Sequence, residues 1–221
     1  MAVAARPTTA SRVSLSKRIG WGVMLTLAIL LFLLAARYLT LSPEVFFPEQ
    51  KAVYLAHLTG LIVHIVGAMV ATIIGPFQFL PSVNSGRYQY LHRWLGRIYL
   101  LGVLVGGLGG LYMAQYAYGG FASSLGFSIL AVLWMGTGFL AYRNIRRRRI
   151  QVHRQWMIRN YALTFAAVAL RIWMPLFQIG GIDQMQGYVA IAWLCWVPNL
   201  MVAEYIVDPV RNGQRRATAA A

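Results

Sequence analysis

Long apolar runs separated by short polar connections organise almost the whole chain. Six of these runs are long enough to cross a hydrocarbon core as helices, which takes about 20 residues each. They extend approximately over residues 19–38, 54–80, 95–115, 123–142, 156–177 and 188–207. The pattern predicts an all-α fold, in which residues 18–208 form one polytopic membrane bundle of six transmembrane helices. Residues 1–17 and 209–221 carry no apolar periodicity, and we expect both to be disordered tails.

Composition agrees with this class and excludes a soluble domain. Hydrophobic residues make up 59% of the 221 positions and charged residues only 11%, whereas a soluble domain needs far more charge on its surface. The first run is longer than the apolar core of a signal peptide, about 7–15 residues, and no A-x-A cleavage site follows it. We therefore interpret it as an uncleaved span. The single cysteine, Cys195, lies inside the sixth run and permits no intrachain disulfide.

The net charge of +15 is carried by alternate connections. Basic residues precede the first span, lie between spans two and three and between spans four and five, and follow span six. The other three connections hold one lysine and three acids, which are Lys51, Glu44, Glu49 and Asp183. This is the positive-inside pattern, and it predicts that both termini are cytoplasmic.

The most basic connection lies between spans four and five. It contains a run of four arginines, which are Arg146, Arg147, Arg148 and Arg149. At a membrane surface such a run attracts anionic lipid headgroups. Because no basic segment of the chain is long enough to form a nucleic-acid-binding module, we expect no nucleic-acid partner.

A repeated phrase marks two of the basic membrane boundaries. HRWLGRIY begins at His92 and HRQWMIRNY begins at His153, so that each histidine is followed directly by an arginine, Arg93 or Arg154. Two histidines at equal depth on neighbouring helices can ligate one haem iron axially, and the arginines can bind the haem propionates. The same residues are also ordinary interfacial anchors at helix ends. Both interpretations remain open at this point.

Further polar residues interrupt the apolar runs, where they are costly in lipid and are functional candidates. They are His57, His64, Arg97, Arg159, Arg171 and Glu204. The spacing of seven between His57 and His64 predicts one helix face, with about 10 Å between them along the axis. His64 lies near mid-membrane, and we expect it to face the bundle interior.

The charged members of this set can also pair with other residues or extend to the membrane surface. In either case they would have no role in ligand binding. We expect Glu204 to pair with Arg159 or Arg97, since a carboxylate in a membrane seldom stays unpaired. Arg171 lies at the depth between the two histidines of span two, and it can extend to the outer surface or meet Asp183.

Glycines recur in span three at Gly102, Gly106 and Gly110. Small residues at four-residue spacing let another helix, or a flat ligand, approach the backbone closely. Close helix packing is the interpretation that we favour.

The spacing H-x-x-x-G from His92 to Gly96 resembles the six-helix b-type cytochromes that pass electrons from ascorbate. In that family the haem ligands lie on spans two to five, paired two with four and three with five. Here spans three and five supply His92 and His153, but span four has no histidine. The resemblance therefore implies at most one b-type haem.

A second resemblance covers the chain from about His57 to Glu204. GPFQF from Gly75, HRWLGR from His92 and HRQWMIRNYALTFAAVALR from His153 are similar to motifs of a family of predicted bacterial multi-pass membrane proteins of unknown function. The resemblance implies membership of that family and a bacterial inner-membrane location. It supplies no activity and no site residues.

Four function classes remain open from the sequence. The first is haem-binding or quinone-linked electron transfer, and the second is a structural or regulatory membrane protein without a cofactor. The third is a transporter of a small solute coupled to protons, which would use the intramembrane His, Arg and Glu as relay groups. The fourth is a quinone- or lipid-modifying enzyme with His64 and Arg171 as an outer-side pair, although the chain has no serine nucleophile motif and no HExxH.

Overall fold

The computed structural model of the chain describes residues 15–80 and 86–219. The described residues are 88% helical and include no strand. The helices are α1 (Leu15–Ala36), α2 (Lys51–Ala56), α3 (Leu58–Gln78), α4 (Gln89–Ala114), α5 (Phe121–Arg146), α6 (Ile150–Thr164), α7 (Ala166–Ile179), α8 (Gln184–Leu194) and α9 (Val197–Ala219). Short 3₁₀ turns occupy Arg37–Thr40, Pro43–Val45, Pro48–Gln50 and Gly86–Tyr88.

Six helical stretches of the described chain are long and apolar enough to cross a membrane. They are Arg18–Thr40, Leu58–Gln78, Gln89–Ala114, Phe121–Arg146, Ile150–Ile179 and Gln184–Asp208. The predicted all-α bundle of six membrane helices is therefore confirmed. The structure adds that the last two spans each consist of two helices, α6 with α7 and α8 with α9.

Both interruptions have a local cause in the sequence. At the α6–α7 junction the Thr164 hydroxyl donates back to the carbonyl of Asn160, 3.0 Å away, a bond that bends helices. At the α8–α9 junction Pro198 has no N–H to offer to the carbonyl of Leu194, the last residue of α8. Each of these two spans is therefore interrupted near its middle.

The expected tails fall partly outside the described residues. Of residues 1–17, positions 1–14 are not described, and α1 begins at Leu15. Of residues 209–221, positions 220–221 are not described, and α9 is helical up to Ala219.

The closest helix pair is α3 with α4, and glycines form its contact. A Cβ on Gly102 would lie 2.9 Å from the carbonyl oxygen of Gly67, and a Cβ on Gly67 would overlap the backbone of Gly106. The glycine face predicted for span three thus packs against a helix. In contrast, α1 lies at the periphery, where Leu30 and Leu33 are each more than half exposed and suited to lipid.

The two ends of the bundle differ in charge. One end, here called the basic end, carries Arg18, Arg93, the arginines from Arg143 to Arg149, and Arg154. The other, here called the loop end, is formed by the connections at 37–57, 115–120 and 180–183. The repeated His-Arg phrases begin helices at the basic end, whereas α3 begins at the loop end.

Candidate functional site

A cavity of about 540 Å³ lies in the half of the bundle nearer the loop end. Its walls come from α1, α3, α4, α5, α7 and α8, and most of the side chains that line it are apolar. Leu31, Ile65, Met69, Leu130 and Met174 are typical of these walls. The volume falls within the range of about 300–1,000 Å³ that small-molecule sites occupy. The lining also includes the ionisable side chains of His64 and Arg171.

His64 of α3 is held in one tautomer at the cavity wall. Its Nδ1 lies 2.8 Å from the carbonyl oxygen of Gly106 on α4, and because a carbonyl only accepts, Nδ1 must carry the proton and donate. Gly110 leaves the space for the ring, since a Cβ there would come within 2.8 Å of Nδ1. The Nε2 atom is then a hydrogen-bond acceptor that makes no bond to any described residue.

Arg171 of α7 is a cation without an acidic partner. Its Nη1 donates to the carbonyl of Ala167, 3.0 Å away, and its other N–H groups make no hydrogen bond to a described residue. All five acidic residues of the chain lie among the described residues, and none of them forms a salt bridge with Arg171. Asp183, one partner suggested by the sequence, instead accepts from the backbone of Gln186 at the start of α8.

Three tyrosines, Tyr38, Tyr54 and Tyr188, complete the polar part of the cavity. Tyr38 and Tyr54 are close enough to Arg171 to interact with it electrostatically. Burial raises the pKa of Tyr54, so its phenol is neutral and its hydroxyl can donate. None of the three hydroxyls makes a hydrogen bond to a described residue.

These tyrosines are not recognisable from the sequence, because aromatic residues near a helix end are also the usual membrane anchors. Nothing in their local sequence distinguishes a tyrosine that faces a cavity from one that faces lipid.

The connection between α1 and α2 covers the cavity at the loop end. Phe46 is only 3% exposed and stacks on Tyr38, with 5.7 Å between the ring centroids. Phe47 stacks on Tyr188 at 5.7 Å. Gln50 donates from Nε2 to the carbonyl of Tyr116, 3.0 Å away. The polar cluster therefore lies under an aromatic cover.

His57 does not join this site. Its Nδ1 lies 2.8 Å from the hydroxyl of Tyr112, and its ring stacks on Tyr116 at 3.8 Å. His57 is the joint between α2 and α3, with φ −121° and ψ 34°, so it is not part of the helix that carries His64. His57 and His64 both contact α4, at Tyr112 and Gly106 respectively, but of the two only His64 lines the cavity.

A network of buried hydrogen bonds lies beside the cavity, which two of its residues, Trp134 and Thr164, line. Asn160, which is fully buried, donates to the Trp134 carbonyl at 2.6 Å and to the Thr137 hydroxyl at 2.8 Å. It also accepts from the Tyr99 hydroxyl at 2.6 Å. Trp134 Nε1 donates to the hydroxyl of Thr164 at 2.8 Å. We call these five residues the central network; it joins α4, α5 and α6, and its polar side-chain atoms all have partners.

Two of the sequence motifs meet beside this network. Pro76 has no N–H, so it leaves the carbonyl of Thr72 without its helical partner. The hydroxyl of Tyr161 donates to that carbonyl at 3.2 Å. Gly75 makes room for the Tyr161 ring, which a Cβ at position 75 would overlap. The Gly-Pro pair of α3 and the Tyr of α6 therefore form one fitted contact.

At the basic end, His92 and His153 begin α4 and α6 and are close enough to interact electrostatically. His153 Nδ1 lies 2.9 Å from the carbonyl oxygen of Ala141 and must donate to it. His92 Nδ1 is buried and has no hydrogen-bond partner among the described residues. Arg93 and Arg154 are exposed. None of these four residues lines the cavity.

Glu204 pairs with Arg159, one of the two partners that the sequence suggested. The pair is bidentate, with distances of 2.6 Å from Nε to Oε1 and 2.7 Å from Nη2 to Oε2. Arg159 also lies over the ring of Trp156, while the exposed Arg97 lies over Trp94. The described residues contain no group of three or more His, Cys, Asp or Glu side chains that could hold a metal ion.

Comparison with known proteins is informative for the family alone. No curated protein and no solved structure matches the chain. One family model, described as "Predicted membrane protein (DUF2306)", matches residues 61–207. His64, Arg171 and the central network lie inside the matched range, whereas Tyr38, Tyr54 and the aromatic cover precede it. Because the match covers more than half of the chain, this protein belongs to the DUF2306 family of predicted membrane proteins.

Proposed function

We propose that this integral membrane protein binds one amphipathic small molecule, drawn from the bilayer, in the cavity near the loop end. Respiratory quinones belong to this ligand class and would connect the site to electron transfer. The observation that carries the proposal is a cavity of about 540 Å³ that has mostly apolar walls and is also lined by His64 and Arg171. A ligand with a polar head could bind His64 and Arg171 through its head while its apolar tail packs against the apolar walls.

The polar cluster offers complementary groups to such a head. His64 Nε2 is a fixed acceptor for a hydroxyl, as in a quinol, because Nδ1 is engaged by Gly106. Arg171 and the tyrosine hydroxyls are donors for oxygen atoms. Groups of this kind are costly to keep unpaired in an apolar surrounding, which favours a ligand that pairs them.

Filling the cavity tests this proposal directly. Ala167→Phe places a ring inside the cavity wall, and Val132→Phe adds the same ring at an exposed position outside it. Binding of short-chain amphipaths, including a quinone, would be measured by native mass spectrometry on protein in a neutral detergent. We expect the Ala167 variant to lose the bound molecule and the Val132 variant to keep it. Equal binding by both variants would contradict the proposal, and Ala117→Phe provides a second filling variant.

A second candidate function, b-type haem binding at the basic end, is supported by the tautomer of His153. Its Nδ1 donates to the Ala141 carbonyl, which leaves Nε2 with a lone pair, as in many metal-bound imidazoles. His92 and His153 would hold the haem b iron, and Arg93 with Arg154 would bind its propionates. Bound haem would supply one-electron transfer.

An absorption spectrum tests the second candidate. His92→Ala and His153→Ala should each remove the reduced-minus-oxidised bands of the purified protein, whereas His57→Ala should leave them unchanged. Wild-type protein from haem-supplemented cells without visible absorption would exclude haem binding at this pair.

We further propose that the chain lies in a bacterial inner membrane with the basic end in the cytoplasm. The alternation of basic connections supports this orientation, and it would put both termini inside and the cavity near the outer face. Arg146, Arg147, Arg148 and Arg149, all exposed, would then meet anionic headgroups. Reporter fusions at Arg147 and Gly119 should give cytoplasmic and external signals, respectively; the reverse result would invert the orientation.

A further inference from the structure

We infer that the amphipath bound in the cavity has an anionic head group, a phosphate or carboxylate, and that Arg171 selects it. The inference rests on the proposed function and specifies the chemistry of its ligand. Its basis is the charge of the site rather than the shape of the cavity.

The first step is the absence of a counter-charge. Arginine remains protonated in proteins, and the five acids of the chain form no salt bridge with Arg171. The chain does compensate another partly buried arginine, since Arg159 binds Glu204 through two hydrogen bonds. Arg159 and Arg171 belong to the same span. Of the two, Arg159 has an acidic partner, and Arg171, beside the cavity, has none.

The second step concerns the neighbours of Arg171. The titratable groups around it are Tyr38 before α2, Tyr54 on α2 and His64 on α3. All are neutral or cationic in character, so none of them can neutralise the guanidinium. The hydroxyl groups of the two tyrosines can donate to the same oxygen atoms that the guanidinium binds, as in sites that bind anions.

The third step is the cost of leaving this charge alone. An arginine within the hydrocarbon region is unfavourable, and bidentate bonding to a phosphate or carboxylate is the strongest compensation available to it. A neutral quinone or alcohol would fill the same volume but would leave the positive charge of Arg171 uncompensated. The site therefore favours an anionic head over a neutral one with the same tail.

The decisive experiment compares two ligands that have the same tail and different head groups. Dodecyl phosphate and dodecanol share the alkyl chain, but only dodecyl phosphate carries an anionic head. With wild-type protein in a neutral detergent, native mass spectrometry should give one dodecyl phosphate per chain, with dodecanol binding at least about tenfold more weakly. Equal affinities would overturn the inference without any variant being made.

Variants then assign the preference to Arg171. Arg171→Gln should reduce the preference for dodecyl phosphate to less than about twofold, and Arg171→Lys, which keeps the charge, should retain part of it. Arg37→Gln removes an exposed arginine at the same end that does not line the cavity and should change nothing. An unchanged preference in Arg171→Gln, or an equal loss in Arg37→Gln, would overturn the assignment.

Two further arms identify the source of the anion. Binding of dodecyl phosphate but not of inorganic phosphate would show that the tail contributes, whereas binding of inorganic phosphate with equal affinity would contradict an amphipathic ligand. Phosphatidylglycerol and dodecanoate, offered separately, would distinguish a two-chain lipid phosphate from a single-chain carboxylate. Failure of this inference remains separable from failure of the proposed function, because loss of neutral-ligand binding in Ala167→Phe would still support the cavity as the site.

Discussion

The central network lies next to the polar residues of the cavity, His64, Arg171 and the three tyrosines, which we call the cavity cluster. The two regions differ in how completely their polar groups are hydrogen-bonded. In the central network, the side-chain amide of Asn160 has partners on α4 and α5 at 2.6–2.8 Å. In the cavity cluster, Arg171 makes a single hydrogen bond to the backbone of its own helix. Asn160 and Arg171 lie on the same membrane span, eleven residues apart in sequence.

The difference separates structural from ligand-binding polarity. A polar group that is fully paired inside the protein contributes to stability and has nothing left for a ligand. A polar group that the fold leaves unpaired lowers stability, and such groups are characteristic of sites selected for binding. Hydrogen-bond satisfaction, rather than burial or residue type, distinguishes the two regions.

The largest expected effect is in the central network. Asn160→Ala removes three side-chain hydrogen bonds, which link Asn160 to the Tyr99 hydroxyl, the Thr137 hydroxyl and the Trp134 carbonyl. At roughly 0.6 kcal/mol for each interhelical bond in a membrane, plus the cavity that remains, the loss should be about 2–3 kcal/mol. Unfolding in mixed detergent measures it. A loss below about 0.5 kcal/mol would remove the structural role assigned to the network.

The second-largest loss of stability is expected at the contact between Gly75 and Tyr161, beside the central network. Gly75→Ala places a Cβ against the Tyr161 ring, and overpacking of this kind costs about 1–3 kcal/mol. Gly136→Ala is the matched control, since a Cβ there meets no atom within 4 Å. Thermal unfolding should therefore separate the two variants, and similar melting temperatures would contradict the tight fit.

The cavity cluster should give an effect of the opposite sign. Arg171→Gln removes an uncompensated charge, so the ligand-free protein should become more stable, by about 1 kcal/mol. The same unfolding assay measures this change in protein stripped of bound lipid. A clear loss of stability would show that Arg171 has a structural role like that of Asn160, and the contrast between the two regions would fail.

The smallest effect is expected at the basic end. Glu204→Gln weakens the bidentate pair with Arg159, but Glu204 is 47% exposed, so the loss should stay below about 1 kcal/mol. Glu49→Gln, in the loop-end connection, should have no effect on the melting temperature in detergent. Indistinguishable results for the two variants would mean that the Arg159–Glu204 pair does not stabilise the bundle.

Part of the candidate site was visible in the sequence. His64 and Arg171 were identified because charged or titratable residues are rare within long apolar runs. The sequence also placed them in the same half of the membrane, from the direction of each span. It did not find Tyr38, Tyr54 or Tyr188, because tyrosines near helix ends usually serve as interfacial anchors. It also did not show that His57, at the joint between α2 and α3, lies outside the cavity that His64 lines.

The sequence by itself determined the six spans, the basic end and the family, because hydropathy and charge are local properties that can be read residue by residue. Only the tertiary structure decided which polar groups are paired. The partner of His64 is the carbonyl of Gly106, 42 positions away, and it is within reach because glycines let α3 and α4 approach closely. Whether Arg171 meets an acid depends on how each helix is rotated against its neighbours. That rotation is fixed by side-chain packing between distant segments, which no single stretch of sequence encodes.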